Sequence, residues 1–189
     1  MKTLSFAALL LTFASPALAD VLTLAPADPQ PDAGSLTSGL AVSYAYPGKI
    51  RTLADAAAAL EDAKAGPALP GLSYLDTEEG ELTMTSTSQN KVAAAITGYI
   101  RFEAPGTYAL DVWSNDGIVM RIGGQQVALY DEVHACESAG VQEVEVPQAG
   151  WYALEATYFQ RKGTACLLMD WNVGGEMGPV PDEAFAFTQ

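Results

Sequence analysis

Few residues of this chain have the type and spacing to do chemistry, and most of those are oxygen donors. Asn115-Asp116-Gly117 sets an amide oxygen beside a carboxylate at a break between two apolar runs. Both are hard donors of the kind that calcium gathers in sets of six to eight. The same three residue types also build tight turns that hold no ligand. Asp170, Asn172 and Glu176 flank Gly174-Gly175 and read either as further oxygen ligands or as a solvated acidic loop. The single histidine, His134, stands in the acidic stretch 131–137, where a lone histidine is a candidate for a base or a pH-sensitive contact.

Patterns that carry catalysis are missing. No serine sits in a Gly-x-Ser-x-Gly elbow, no His-Glu-x-x-His helix exists and no glycine-rich loop is arranged to cradle phosphate. The carboxylates at Glu78-Glu79 and at Glu143 with Glu145 read as solvated surface charge rather than a hydrolytic pair. A protein that is not an enzyme is the expectation. Trp113, Trp151 and Trp171 alternate with apolar neighbours, so they read first as core; an indole face also stacks on a pyranose ring. Acidic residues outnumber basic ones by 23 to 9 and the formal net charge is −14. Such a balance repels phosphate backbones and anionic lipid, so neither nucleic acid nor a membrane surface is an expected partner.

The positioning elements begin with Lys2, an apolar run from Leu4 to Phe13 and the small residues Ala17 and Ala19. These predict a signal peptide over 1–19, cleaved before Asp20, and a secreted or periplasmic protein. No later run reaches the roughly 20 apolar residues of a membrane helix. The only cysteines, Cys136 and Cys166, are thereby placed in an oxidising compartment and are expected to pair. A zinc site would need more thiols, and His134 lies two positions from Cys136 rather than at a ligand spacing.

Residues 20–37, rich in Pro and Asp, read as a flexible linker. Thr52 to Ala65 is the one credible helix, opened by a capping pair Thr52 and Asp55 and ended by Gly66-Pro67, with Leu53, Ala57 and Leu60 on one face. From Glu81 onward the period shortens to two. Candidate strands are Glu81 to Ser86, Ala93 to Phe102, Gly106 to Trp113, Ile118 to Ile122, Gln125 to Tyr130, Val141 to Val146, Gly150 to Tyr158 and Cys166 to Asn172, with an early one near Leu40 to Ala45. Gly123-Gly124 is a two-residue hairpin turn. Closely spaced strands leave no room for crossover helices, so the fold class is all-β, an antiparallel β-sandwich or barrel with one short peripheral helix.

Several of these pieces fall in a particular order. Gly39-Leu40-Ala41-Val42-Ser43-Tyr44 comes first, then Gly106-Thr107-Tyr108, the turn Ser114-Asn115-Asp116-Gly117, the hairpin through Ile122-Gly123-Gly124, the strand Ala149-Gly150-Trp151-Tyr152 and a closing strand with Trp171. The order resembles the protective-antigen fourteen-kilodalton (PA-fourteen) domain, a β-barrel module of bacterial toxins, glycosidases and fungal adhesins. The similarity assigns 38–189 to that domain. It implies a carbohydrate-binding or adhesive module whose partner is a glycan or cell-surface component, with Asn115, Asp116, Gly117 and Asn172 as ligand-binding residues. In some members a Ser-Asp-Asp-Gly turn holds calcium; the matching pair here, Asn115 and Asp116, would be the calcium ligands. An amide in place of the first carboxylate removes a full negative charge and weakens that attraction. A structural or protein-interaction subunit of the cell envelope is the alternative.

Overall fold

The computed structural model describes residues 21–172 and 175–188; the leader expected over 1–19 lies outside the described residues. Strands form where apolar and polar residues alternate, because a pleated backbone sends successive side chains to opposite faces and one face finds a core. In chain order they are β1 (Leu22–Thr23), β2 (Leu36–Ser38), β3 (Ala41–Ala45), β4 (Lys64–Ala65), β5 (Ser73–Tyr74), β6 (Val92–Phe102), β7 (Gly106–Asn115), β8 (Ile118–Ile122), β9 (Gln125–Tyr130), β10 (Glu137–Ser138), β11 (Gln142–Val146), β12 (Gly150–Gln160), β13 (Cys166–Asn172), β14 (Met177–Pro179) and β15 (Phe185–Thr188). Among the described residues one α-helix, α1 (Leu53–Leu60), lies between β3 and β4.

Two sheets result. The first runs β1-β11-β7-β13-β14, with β10 beside β7 and β5 beside β13; the second runs β2-β15-β6-β12-β8-β9, with β3 on β6 and β4 on β3. Among the described residues every ladder is antiparallel except the short parallel pairing of Leu22 and Thr23 with Val144 and Glu145. The inner faces share one core, in which Phe102 meets Tyr108 at 4.9 Å and Tyr152 at 5.3 Å, both edge-on. That geometry suits the ring quadrupoles and adds to the burial of the rings themselves. The all-β sandwich is the expected fold class.

Four expectations differ from the structure. The described part of the expected linker, residues 21–37, is tied to the sheets: Leu24 is 1% exposed, and the amides of Leu24, Ala25 and Ala27 donate to the carbonyls of Glu145, Gly123 and Trp151. One buried leucine and a set of backbone bonds to finished strands order a segment whose composition alone would not. Glu81 to Ser86 is turns rather than a strand, because Ser86 and Ser88 spend their hydroxyls on the carbonyls of Ser88 and Asn90. Local side-chain bonds of this kind compete with a ladder. The helix is capped by Thr52 as expected, its hydroxyl accepting from Asp55 N, but it ends at Leu60 because Lys64 and Ala65 pair with Tyr44 and Ser43. Its buried residue is Ala56, packed with Ile50, Ala93 and Phe159, while Ala57 faces solvent. Lastly, the three tryptophans are half-buried, and of them Trp171 leans on the core.

Candidate functional site

The register gathers several loops at one end of the sandwich. Cys166 stands opposite Asn115, Tyr158 opposite Ile118, Gln160 opposite Val92 and Ala93 opposite Ala45. The turn 115–117, the loops 131–136 and 161–165, and the irregular stretch 75–91 therefore share a rim. A disulfide between Cys136 and Cys166, with Cα atoms 5.8 Å apart, ties two of them together as expected.

Asp116 is the centre of this rim. It is 2% exposed, and its carboxylate accepts from the amide of His134 at 3.1 Å and from that of Arg161 at 2.6 Å. Its own amide donates to the Phe159 carbonyl, and Gly117 O accepts from Phe159 N. Burial pushes the Asp116 carboxyl above its ordinary value, while the two amides, His134 and Arg161 pull it back down. Asn115 is 5% exposed and donates from Nδ2 to Thr164 Oγ1 at 3.0 Å. Tyr158 donates its hydroxyl to the Asn115 carbonyl. A Cβ on Gly117 would stand 2.3 Å from the Phe159 ring, so only glycine lets the turn lie this close to β12. The His134 ring stacks on Tyr130 with centroids 3.6 Å apart. One side chain thus fastens two neighbouring loops to the sheet.

As calcium ligands the turn offers few side-chain oxygens. The turn supplies one carboxylate, each of whose oxygens already accepts a backbone amide, and one amide oxygen, Asn115 Oδ1, that has no protein partner. Six to eight oxygens are wanted. Among the described residues no group of three His, Cys, Asp or Glu is placed to hold a metal. Asn172 is not brought to the turn at all: it pairs with Ala109, six positions along β13 from Cys166, or about 20 Å at the usual strand rise. There it closes the next loop, exchanging hydrogen bonds with Gly175. Asp170 faces Asp111 across the ladder, and burial, then the Asp111 charge, push its carboxyl up.

A feature that the sequence reading did not single out lies on the same rim, over the second sheet. A cleft of about 650 Å3 opens between the end of α1, β4 and the turn 85–87, lined by Tyr44, Tyr46, Asp62, Lys64, Thr85 and Thr87 among others. Leu40, Val42 and Tyr44 point into the core by strand alternation. Tyr46, the next in that series, overshoots the core and is 48% exposed. The two tyrosine rings lie 6.4 Å apart and 22° from parallel. Thr85 gives its proton to the Pro67 carbonyl and shares a 2.8 Å bond with Tyr44 OH, while Thr87 donates from both N and Oγ1 to Tyr46 OH at 3.1 Å. The signal was two period-two pairs, Tyr44/Tyr46 and Thr85/Thr87, which come together only in the fold.

Solved structures share this architecture. The PA14 domain of the MpAFP antifreeze protein superposes with a TM-score of 0.68 at 19% identity, covering 84% of this chain and 94% of that one. The PA14 sugar-binding domain of an RTX adhesin gives 0.65 at 18%, covering 80% and 99%. The A domain of epithelial adhesin 9 from Candida glabrata, in complex with Galβ1-3GlcNAc, gives 0.66 at 11%, covering 89% and 97%. No curated protein sequence matches the chain. The sequence model of the family described as the PA14 domain matches residues 76–184, from the start of the irregular rim stretch to the segment before β15, and the chain belongs to that family.

Proposed function

We propose that this protein is an exported, non-catalytic module that binds carbohydrate, or adheres through it, and meets its glycan at the loop-bearing rim. The observation that carries the reading is family membership joined to the solved relatives. An adhesin domain described as sugar-binding and an adhesin captured with Galβ1-3GlcNAc have the same fold over at least 80% of this chain. The Cys136–Cys166 disulfide fits an oxidising compartment, in keeping with a secreted or periplasmic location. A net charge of −14 argues for a neutral partner rather than a polyanion. The reading does not depend on calcium, for which the turn 115–117 offers only two side-chain donors, the Asp116 carboxylate and Asn115 Oδ1. The test is a glycan array probed with the exported chain, with and without a chelator. Retention of one or more neutral glycans is expected in both conditions; an array that stays blank in both would remove the reading.

A further inference from the structure

We infer that the cleft between α1 and the turn 85–87 seats a single neutral hexopyranose, held without a metal. The inference rests on the glycan-binding reading above and gives it a location and a ligand class. The volume, about 650 Å3, falls within the roughly 300–1,000 Å3 of small-molecule sites.

Counting hydrogens identifies what the cleft offers. A phenolic oxygen has one proton and two lone pairs. Both lone pairs of Tyr46 are taken by Thr87 N and Thr87 Oγ1, so its proton is left to donate outward. Tyr44 differs: Thr85 has spent its only proton on Pro67 O, so Tyr44 must donate to Thr85, and its hydroxyl is internally satisfied. Asp62 and Lys64 also line the cleft and are exposed, and the one ion pair among the described residues is Arg101 with Glu103. The cleft thus presents one phenol donor, one carboxylate acceptor and one ammonium donor, with Ala45, Ala59 and Pro47 supplying apolar lining.

A pyranose matches that set from both sides. Its hydroxyls donate and accept at once, so adjacent ones can serve a carboxylate and an ammonium together, and its C–H face lies on an aromatic ring. Asp62 and Lys64 cancel each other's charge, which favours neither an anionic nor a cationic guest. The platform is fixed before binding: Tyr46 is held by two hydrogen bonds, and Gly66 lets the Tyr44 ring approach to where a Cβ would stand 2.6 Å away. A ring ordered in advance loses little freedom when the sugar arrives.

Saturation-transfer NMR on the exported chain with methyl β-galactoside, methyl α-mannoside and methyl α-glucoside tests the inference. At least one glycoside should bind. Tyr46→Ala and Asp62→Ala should each weaken it about tenfold or more, and Tyr46→Phe several-fold, which is the scale of one anchoring contact. A chelator should change nothing. Tyr46 and Asp62 are exposed, so unchanged melting curves will show that the variants fold. If a glycan is retained but all three variants bind like the wild type, or the chelator abolishes binding, the inference is overturned while the glycan-binding reading stands. If array and glycosides are both blank, both fall. Capture of a proline-rich peptide in the cleft with no glycoside bound also overturns it.

Discussion

Replacing Cys136 and Cys166 together by alanine removes a covalent closure between residues separated by 30 positions. In the chain-entropy account a loop of that length restricts the unfolded chain by about 12 cal/mol/K, or about 3.6 kcal/mol at 25 °C. Cys166 is 1% exposed, so alanine also forfeits the burial of a sulfur, about 1 kcal/mol more. Together these amount to a third or more of a typical domain stability of about 5–15 kcal/mol. At a urea slope of about 2 kcal/mol/M the unfolding midpoint should fall by about 2 M. The assay is urea unfolding followed by tryptophan fluorescence on the oxidised protein, the reduced protein and the double-alanine variant. The reduced and alanine forms should agree to within the sulfur contribution. Amide exchange should also speed up at His134, whose N–H reaches Asp116 from the loop that the disulfide tethers. A midpoint shift under about 0.5 M in both forms would refute the reasoning, for the ladders and the Asp116 bonds would then hold the rim unaided.

Asp116→Ala strips the acceptor from two part-buried amides and should cost about 2–4 kcal/mol, read from thermal melting; a loss under 1 kcal/mol would mean that His134 N and Arg161 N find other partners. Asp170 has its folded pKa above its unfolded one, so its contribution to stability is whole below the ordinary value of 3.8 and is lost as pH rises through the raised one. Asp170→Asn should therefore gain in urea midpoint over the wild type at pH 7 but not at pH 3, and an equal effect at both would count against the shift. Gly123→Ala forces a side chain into φ +53° with its Cβ 2.6 Å from the Ala25 carbonyl. It should cost at least about 1 kcal/mol and speed exchange at the Ala25 amide, whereas unchanged exchange there would show that the 21–31 segment is held by other bonds.

Legibility in the sequence followed the range of the interactions. Ile118–Ile122, Gln125–Tyr130 and Cys166–Asn172 were read to the residue, since alternation and a glycine pair with φ of 53° and 78° define them locally. The two-residue strands were invisible: Leu22–Thr23 is a strand only because Val144 and Glu145 accept it as a neighbour. At the rim, Asn115-Asp116-Gly117 was legible as a turn because those residue types make turns. Its anchoring to the backbone of His134 and Arg161 was not, for an amide group is the same in every residue and carries no sequence signature. Asn172 was misplaced for a related reason, since composition reports an oxygen donor but not which end of a strand it occupies.

The order of the second sheet sets a timetable for assembly. β15 lies between β2 and β6, its Thr188 opposite Leu36 and its Phe185 opposite Ile100, so the edge begun by one of the earliest strands waits for the latest. Until β15 docks, Leu36 lacks its ladder partner and Ile100 stands on an open border of the sheet. That late closure is a property of the weave of the sheet and not of any short motif.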